Sequence, residues 1–235
     1  MTSFLTDVLE HVLRCSSKKN FEKNYGLGFT DKYNNSPSRI IKSVYPKYEW
    51  LFWKFTVSPN HHWDIKEKQL EYTNWLGEQL GYKTKEDWYK ITQNDFENNY
   101  GNGLLNKYNG SPYQILSSVY PEYEWFFWKF ICSPNNSWDS KKNQLKYMTW
   151  LGKHLGYTTK EDWYKITNSY FHKNYGRTLV KNYYGSAYHL LKSLYPEYEW
   201  LFWKFICSPN NSWDSKENQL KYMNWLGEKL GYTTT

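Results

Sequence analysis

The sequence predicts an all-α protein: three tandem helical repeats of about 75 residues stacked in a row, closed at one end by an N-terminal capping helix. Three observations predict it. An eleven-residue phrase is written three times, YPKYEWLFWKF at 45–55, YPEYEWFFWKF at 120–130 and YPEYEWLFWKF at 195–205, and a fixed period of this length marks a repeat array. The apolar residues around it recur at helical rather than alternating spacing. Helix start and stop signals recur at the same offset.

The composition supports a globular chain. With 40% hydrophobic and 21% aromatic residues in 235, the core is large enough to fold, and the mean hydropathy of −0.90 reflects Lys, Asn and Tyr rather than disorder. The net charge of +7 favours a polyanionic partner. It is uneven: residues 11–85 hold 13 bases and 7 acids, against 8 and 7 in 86–160 and 9 and 7 in 161–235. The cysteines, Cys15, Cys132 and Cys207, are odd in number and lack paired spacing, so neither a disulfide framework nor a zinc site is expected. Cys132 and Cys207 share a column with Val57 and read as small apolar residues. MTSFLTDVLEHVL has no basic n-region or long apolar core, and no stretch nears the roughly 20 apolar residues of a membrane span. The expected location is intracellular: the nucleus, or a viral factory or virion if the protein is viral. A membrane partner is not expected.

In chain order, residues 1–17 form the expected cap, where Leu5, Val8, Leu9, Val12 and Leu13 follow helical spacing. The repeats then span 18–85, 86–160 and 161–235. In the second, Thr84 caps a short helix KEDWYKI with Glu86 and Asp87 in its first turn. A further short helix runs from Asp95 to Tyr100 and stops at Gly101; Gly26 and Gly176 read as the same stop. Gly110-Ser111-Pro112 places a capping hydroxyl before a proline at the first helical position and starts YQILSSV, which Tyr120-Pro121 ends. The aromatic phrase then reads as a helix, with Tyr123, Phe126, Phe127 and Phe130 on one face and Trp125 and Trp128 on another. After SPNNSW, Asp139 or Ser140 begins the longest helix, KKNQLKYMTWLGKHL, which stops at Gly156 and buries Leu145, Met148, Leu151 and Leu155.

Catalytic, metal and cofactor chemistry is not expected. Glu49, Glu124 and Glu199, like Asp64, Asp139 and Asp214, repeat without a nucleophile or base repeating beside them, and read as helix-capping or ion-pairing acids. The histidines occupy unrelated columns, and His61-His62 occurs once. The tryptophans read as core packing.

The Ser-Pro helix is the most discriminating segment. Its apolar positions stay apolar, while one polar column runs Arg39, Gln114, His189 and another Lys42, Ser117, Lys192. A constant scaffold with changing hydrogen-bonding side chains is what groove reading requires. Ser36, Ser111 and Ser186 would help hold a phosphate at the helix N-terminus, with Lys32, Lys107 or Lys181 nearby. Lys18, Lys19, Lys23 and Lys173 are further backbone candidates. Lys54, Lys129 and Lys204, embedded in FWKF, must reach the surface or a partner, or lie snorkelling over the aromatic cluster. The leading expectation is therefore a non-enzymatic protein that binds nucleic acid, double-stranded DNA first. The alternative is a structural or protein-interaction scaffold, a virion or filament component that self-associates or binds a protein. Stacking on single strands is a third reading.

EDWYKIT, the YPEYEW block, the Trp-Lys-Phe after it and WLG(E/K)xLGY together resemble a tandem aromatic repeat of large DNA viruses, fungi, protists and plants. The resemblance spans nearly the whole chain and implies a repeat fold rather than an activity. In layout, a small helical unit with a capped helix followed by an aromatic residue is similar to the DNA-binding repeats that accompany homing endonucleases. That similarity implies binding without the nuclease.

Overall fold

A computed structural model describes residues 18–47, 50–55 and 61–232. The expected cap helix at 1–17 and Val57 lie outside the described residues. Among these the chain is all-α, with no strand. It divides into two compact units, one ending at Ser133 and one beginning at Pro134.

The helices recur with the sequence period. In the first unit, α1 (Lys18–Lys23), α2 (Leu27–Lys32) and α3 (Pro37–Val44) form a trio of short helices. The long α4 (Lys66–Gln79) follows. A second trio is α5 (Gln93–Asn98), α6 (Asn102–Lys107) and α7 (Pro112–Val119). The second unit holds the long α8 (Lys141–Leu155), the trio α9 (Asn168–Lys173), α10 (Arg177–Lys181) and α11 (Ala187–Leu194), and a last long helix, α12 (Lys216–Lys229). The middle helix of each trio, α2, α6 and α10, is additional to the sequence reading.

Local chemistry accounts for most of these bounds. The Ser111 hydroxyl accepts the Gln114 N–H at 3.3 Å, and Pro112 occupies the first helical position. Ser140 accepts from Asn143 at the start of α8, which ends at Gly156 with φ 71°. KEDWYK, expected as a short helix, winds as a 3-10 helix over Lys85–Lys90 and again over Lys160–Lys165. Asp87 closes a capping box on Thr84, accepting the Thr84 N–H at 3.0 Å.

The aromatic phrase departs from its expected helix. After a turn at Pro121 and Glu122 it runs extended, with a single 3-10 turn at Phe127–Lys129; Phe202–Lys204 repeats this, as does Phe52–Lys54 in the described part of the first copy. A surface helix would cover one stripe and leave the other in water, whereas extended chain turns successive side chains to opposite sides. Trp125, Phe127, Trp128 and Phe130 are all buried as a result. Tyr89 pins this strap from the KEDWYK turn. Its hydroxyl accepts the Phe126 N–H and its carbonyl the Ile131 N–H, both at 3.2 Å; Tyr164 holds Leu201 and Ile206 in the same way.

Two long helices pack on the trio that follows them, α4 on α7 and α8 on α11. The boundary between units accordingly falls inside the 86–160 span, before α8 rather than after it. Tyr72, Leu76, Phe96, Leu104 and Ile115 are fully buried in the first unit, and Tyr147, Met148, Leu151, Phe171 and Leu190 in the second. Cys132 and Cys207 are exposed rather than buried apolar fill.

Candidate functional site

The expected nucleic-acid residues occupy several different local settings. Two of the three serines are used by their own helices. Ser111 is buried with its hydroxyl on the Gln114 N–H, and Ser186 accepts the His189 N–H at 3.3 Å. Ser36 makes no cap bond and instead lies 3.0 Å from the Ser38 hydroxyl. In the variable column, Arg39 and Gln114 are exposed. His189 is half-buried with its ring centroid 5.2 Å from that of Tyr188, and burial, then Lys192, holds its pKa below the ordinary value.

Six of the twelve expected phosphate-binding lysines lie over the chain's own rings. Lys54 stands 5.7 Å from the Trp75 ring centre, Lys129 5.3 Å from Tyr89, and Lys204 5.4 Å from Tyr164. Lys42 covers Phe52, Lys192 covers Tyr188 and Lys32 covers Tyr33. Such contacts stabilise by about 0.5–1 kcal/mol at exposed sites, and a phosphate would have to compete with them. Lys107 is paired with Asp64. Lys19, Lys23, Lys173 and Lys181 are exposed on α1, α9 and α10. Lys18 opens α1, and its side chain lies outside the described set. Lys19 and Lys181 have no basic counterpart 75 residues away, and Lys23 has Asn98 in the second repeat. A cleft of about 850 Å³ in the first unit mixes Lys54 and Lys107 with Asp64 and Glu97, so it concentrates neither sign of charge.

What the structure does bring together is a polar seam between α4 and the trio α5–α7, and again between α8 and the trio α9–α11. In the first unit Gln69 donates from Nε2 to the Trp63 carbonyl at 2.7 Å, while its Oε1 accepts the Tyr108 hydroxyl at 2.8 Å. Tyr108 also lies 2.8 Å from the Ser118 hydroxyl. Tyr72, fully buried, donates to the Asn99 carbonyl at 3.1 Å, and Tyr120 donates to Asn74 Oδ1 at 2.7 Å. Burial pushes Tyr120 up to about 12. The second unit repeats the seam: Gln144 bonds the Trp138 carbonyl and Tyr183, and Tyr147 donates to the Asn174 carbonyl at 2.9 Å.

Sequence reasoning passed over these residues because a polar side chain at helical spacing reads as solvated surface. A signal was present. Gln69, Gln144 and Gln219 share one column, Tyr72, Tyr147 and Tyr222 another, and Tyr33, Tyr108 and Tyr183 a third. Buried polar groups of this kind are satisfied in pairs, because an orphaned one costs about 1–3 kcal/mol. Compared with known proteins, the chain matches no family model, no curated protein and no solved structure.

Proposed function

We propose that the chain is a protein-interaction scaffold, an array whose seam-forming faces bind folded protein rather than nucleic acid. One observation carries this reading. The residues that do not drift from copy to copy make the long-helix and trio faces complementary, whereas seven of the twelve lysines expected on phosphates lie over aromatic rings or are paired. Directional hydrogen bonds inside an apolar contact provide the register that specific protein recognition needs.

A second reading has its own support. Lys19, Lys23 and Arg39 are all exposed in the most basic segment, so duplex binding through α1 and α3 is the rival. Gel retardation of a short duplex and of a single strand, titrated upward from about 50 mM salt, separates the two, since backbone binding falls steeply with salt. The scaffold reading expects no retardation at any salt. Retardation that weakens with salt and is lost in a Lys23→Ala/Arg39→Ala variant overturns it.

A further inference from the structure

Among the described residues, the order of elements leaves one trio with no long helix before it and one long helix with no trio after it. These are α1–α3 and α12, and each carries its half of the seam. At the period of the array, α12 matches α4: Asp214 stands for Asp64, Gln219 for Gln69, Tyr222 for Tyr72 and Asn224 for Asn74. The trio α1–α3 matches α5–α7, with Asn24 for Asn99, Lys32 for Lys107, Tyr33 for Tyr108 and Ser43 for Ser118.

The two half-seams are built as the complete ones are. Gln219 donates from Nε2 to the Trp213 carbonyl at 2.7 Å, as Gln69 and Gln144 do to theirs, yet among the described residues no tyrosine hydroxyl reaches its Oε1. Tyr33 lies 2.9 Å from the Ser43 hydroxyl, as Tyr108 does from Ser118, and among the described residues no glutamine meets it. The apolar part is open on both sides. Met223 is 60% exposed where Thr73 and Met148 are 0%, and Phe29 is 40% exposed where Leu104 and Leu179 are 0%. Among the described residues a Cβ added at Gly28 meets no atom within 4 Å, whereas one at the matching Gly103 collides with Trp63, the counterpart of Trp213.

We propose that a second copy of this chain completes the seam, α12 of one copy docking on α1–α3 of the next. In that contact the Tyr33 hydroxyl donates to Gln219 Oε1, the Tyr222 hydroxyl donates to the Asn24 carbonyl, and Lys32 faces Asp214 as Lys107 faces Asp64. The occupant follows from the two complete seams inside the chain, which show what this pair of surfaces binds. The contact is heterologous, joining different faces, so it continues from copy to copy instead of ending at a two-fold dimer. This inference rests on the scaffold reading and narrows its partner to the chain itself.

Light scattering on the full chain from low concentration to about 100 μM, a range that detects even weak association, tests it together with two half-blocked variants. Met223→Glu places a charge in the α12 face, and Gly28→Gln fills the space that Trp213 would take; both positions are open among the described residues, and circular dichroism checks that each variant folds. The expected result is a mass that rises with concentration for the native chain, single chains for each variant alone, and pairs but nothing larger on mixing the two. A native chain that stays single throughout, association that survives in either variant, or a mixture that fails to pair overturns the proposal. A single chain that also retards no nucleic acid overturns the head-to-tail contact and leaves the scaffold reading standing; salt-sensitive retardation overturns the scaffold reading itself.

Discussion

Tyr72 and Gly101 show at the level of single residues why the period is kept so closely. A Cβ at Gly101 would run into the Tyr72 hydroxyl, and one at Gly176 into that of Tyr147. Read from the sequence as helix stops, these glycines serve close approach. The left-handed residue is the one before, Tyr100 or Tyr175 at φ 65°, a conformation that costs a non-glycine residue roughly 1–2 kcal/mol. The tyrosine rather than the glycine bears that strain because only a glycine lets the facing hydroxyl reach the backbone. Asp87 is a second position of this kind. The N–H groups of Thr84 and Lys83, then the Thr84 hydroxyl and Lys90, hold its carboxyl well below the usual range, and Asp162 is held down likewise by Thr159 and Thr158. A carboxylate whose folded pKa is depressed stabilises the protein above its unfolded value and loses that contribution as pH falls toward the folded one. Urea midpoints should therefore fall as pH drops below about 4, and an Asp87→Asn/Asp162→Asn variant should be weaker at neutral pH with a flatter acid limb. An acid limb unchanged by the substitutions would rule these carboxylates out as its cause.

Among the elements, the helices with chemical caps were the most legible. Ser111 before Pro112 is read correctly, and Ser140 is one of the two starts read for α8, because a cap is a local event: one hydroxyl and one N–H three residues on. The same locality gives a test. Ser111→Ala should cost about 1 kcal/mol, a normal cap value, while Ser36→Ala should cost much less because Ser36 makes no cap bond; equal losses in urea denaturation would contradict the structure. The aromatic strap was misread for the opposite reason. Its i, i+3, i+4, i+7 pattern is genuine, but a pattern with nearly every position apolar has no solvent face, so periodicity alone cannot distinguish a helix from extended chain covered on both sides. The cover comes from Tyr89 and Tyr164, distant in sequence.

For the molecule as a whole, stability should follow the seams. Amides in α4 and α8, whose helices carry the fully buried Tyr72, Leu76, Tyr147 and Leu151, should exchange slowest. Those of α12, with Met223 and Leu220 exposed, should exchange faster in dilute protein and slow on concentration, because local opening tracks buried contact. Hydrogen exchange at two protein concentrations checks this, and α12 protection as high as that of α8 in dilute protein would count against the open face. The sequence by itself determined the helical class, the period and the capped helix starts, all of which depend on chemistry within a few residues or on copying at fixed spacing. Only the tertiary structure decided that the aromatic phrase is a strap, that FWKF lysines lie on rings, and that glutamine and tyrosine columns face each other. Which side chain covers which is settled by groups 25 to 50 positions apart, as Tyr72 with Asn99 and Tyr120 with Asn74, and no local pattern records that distance.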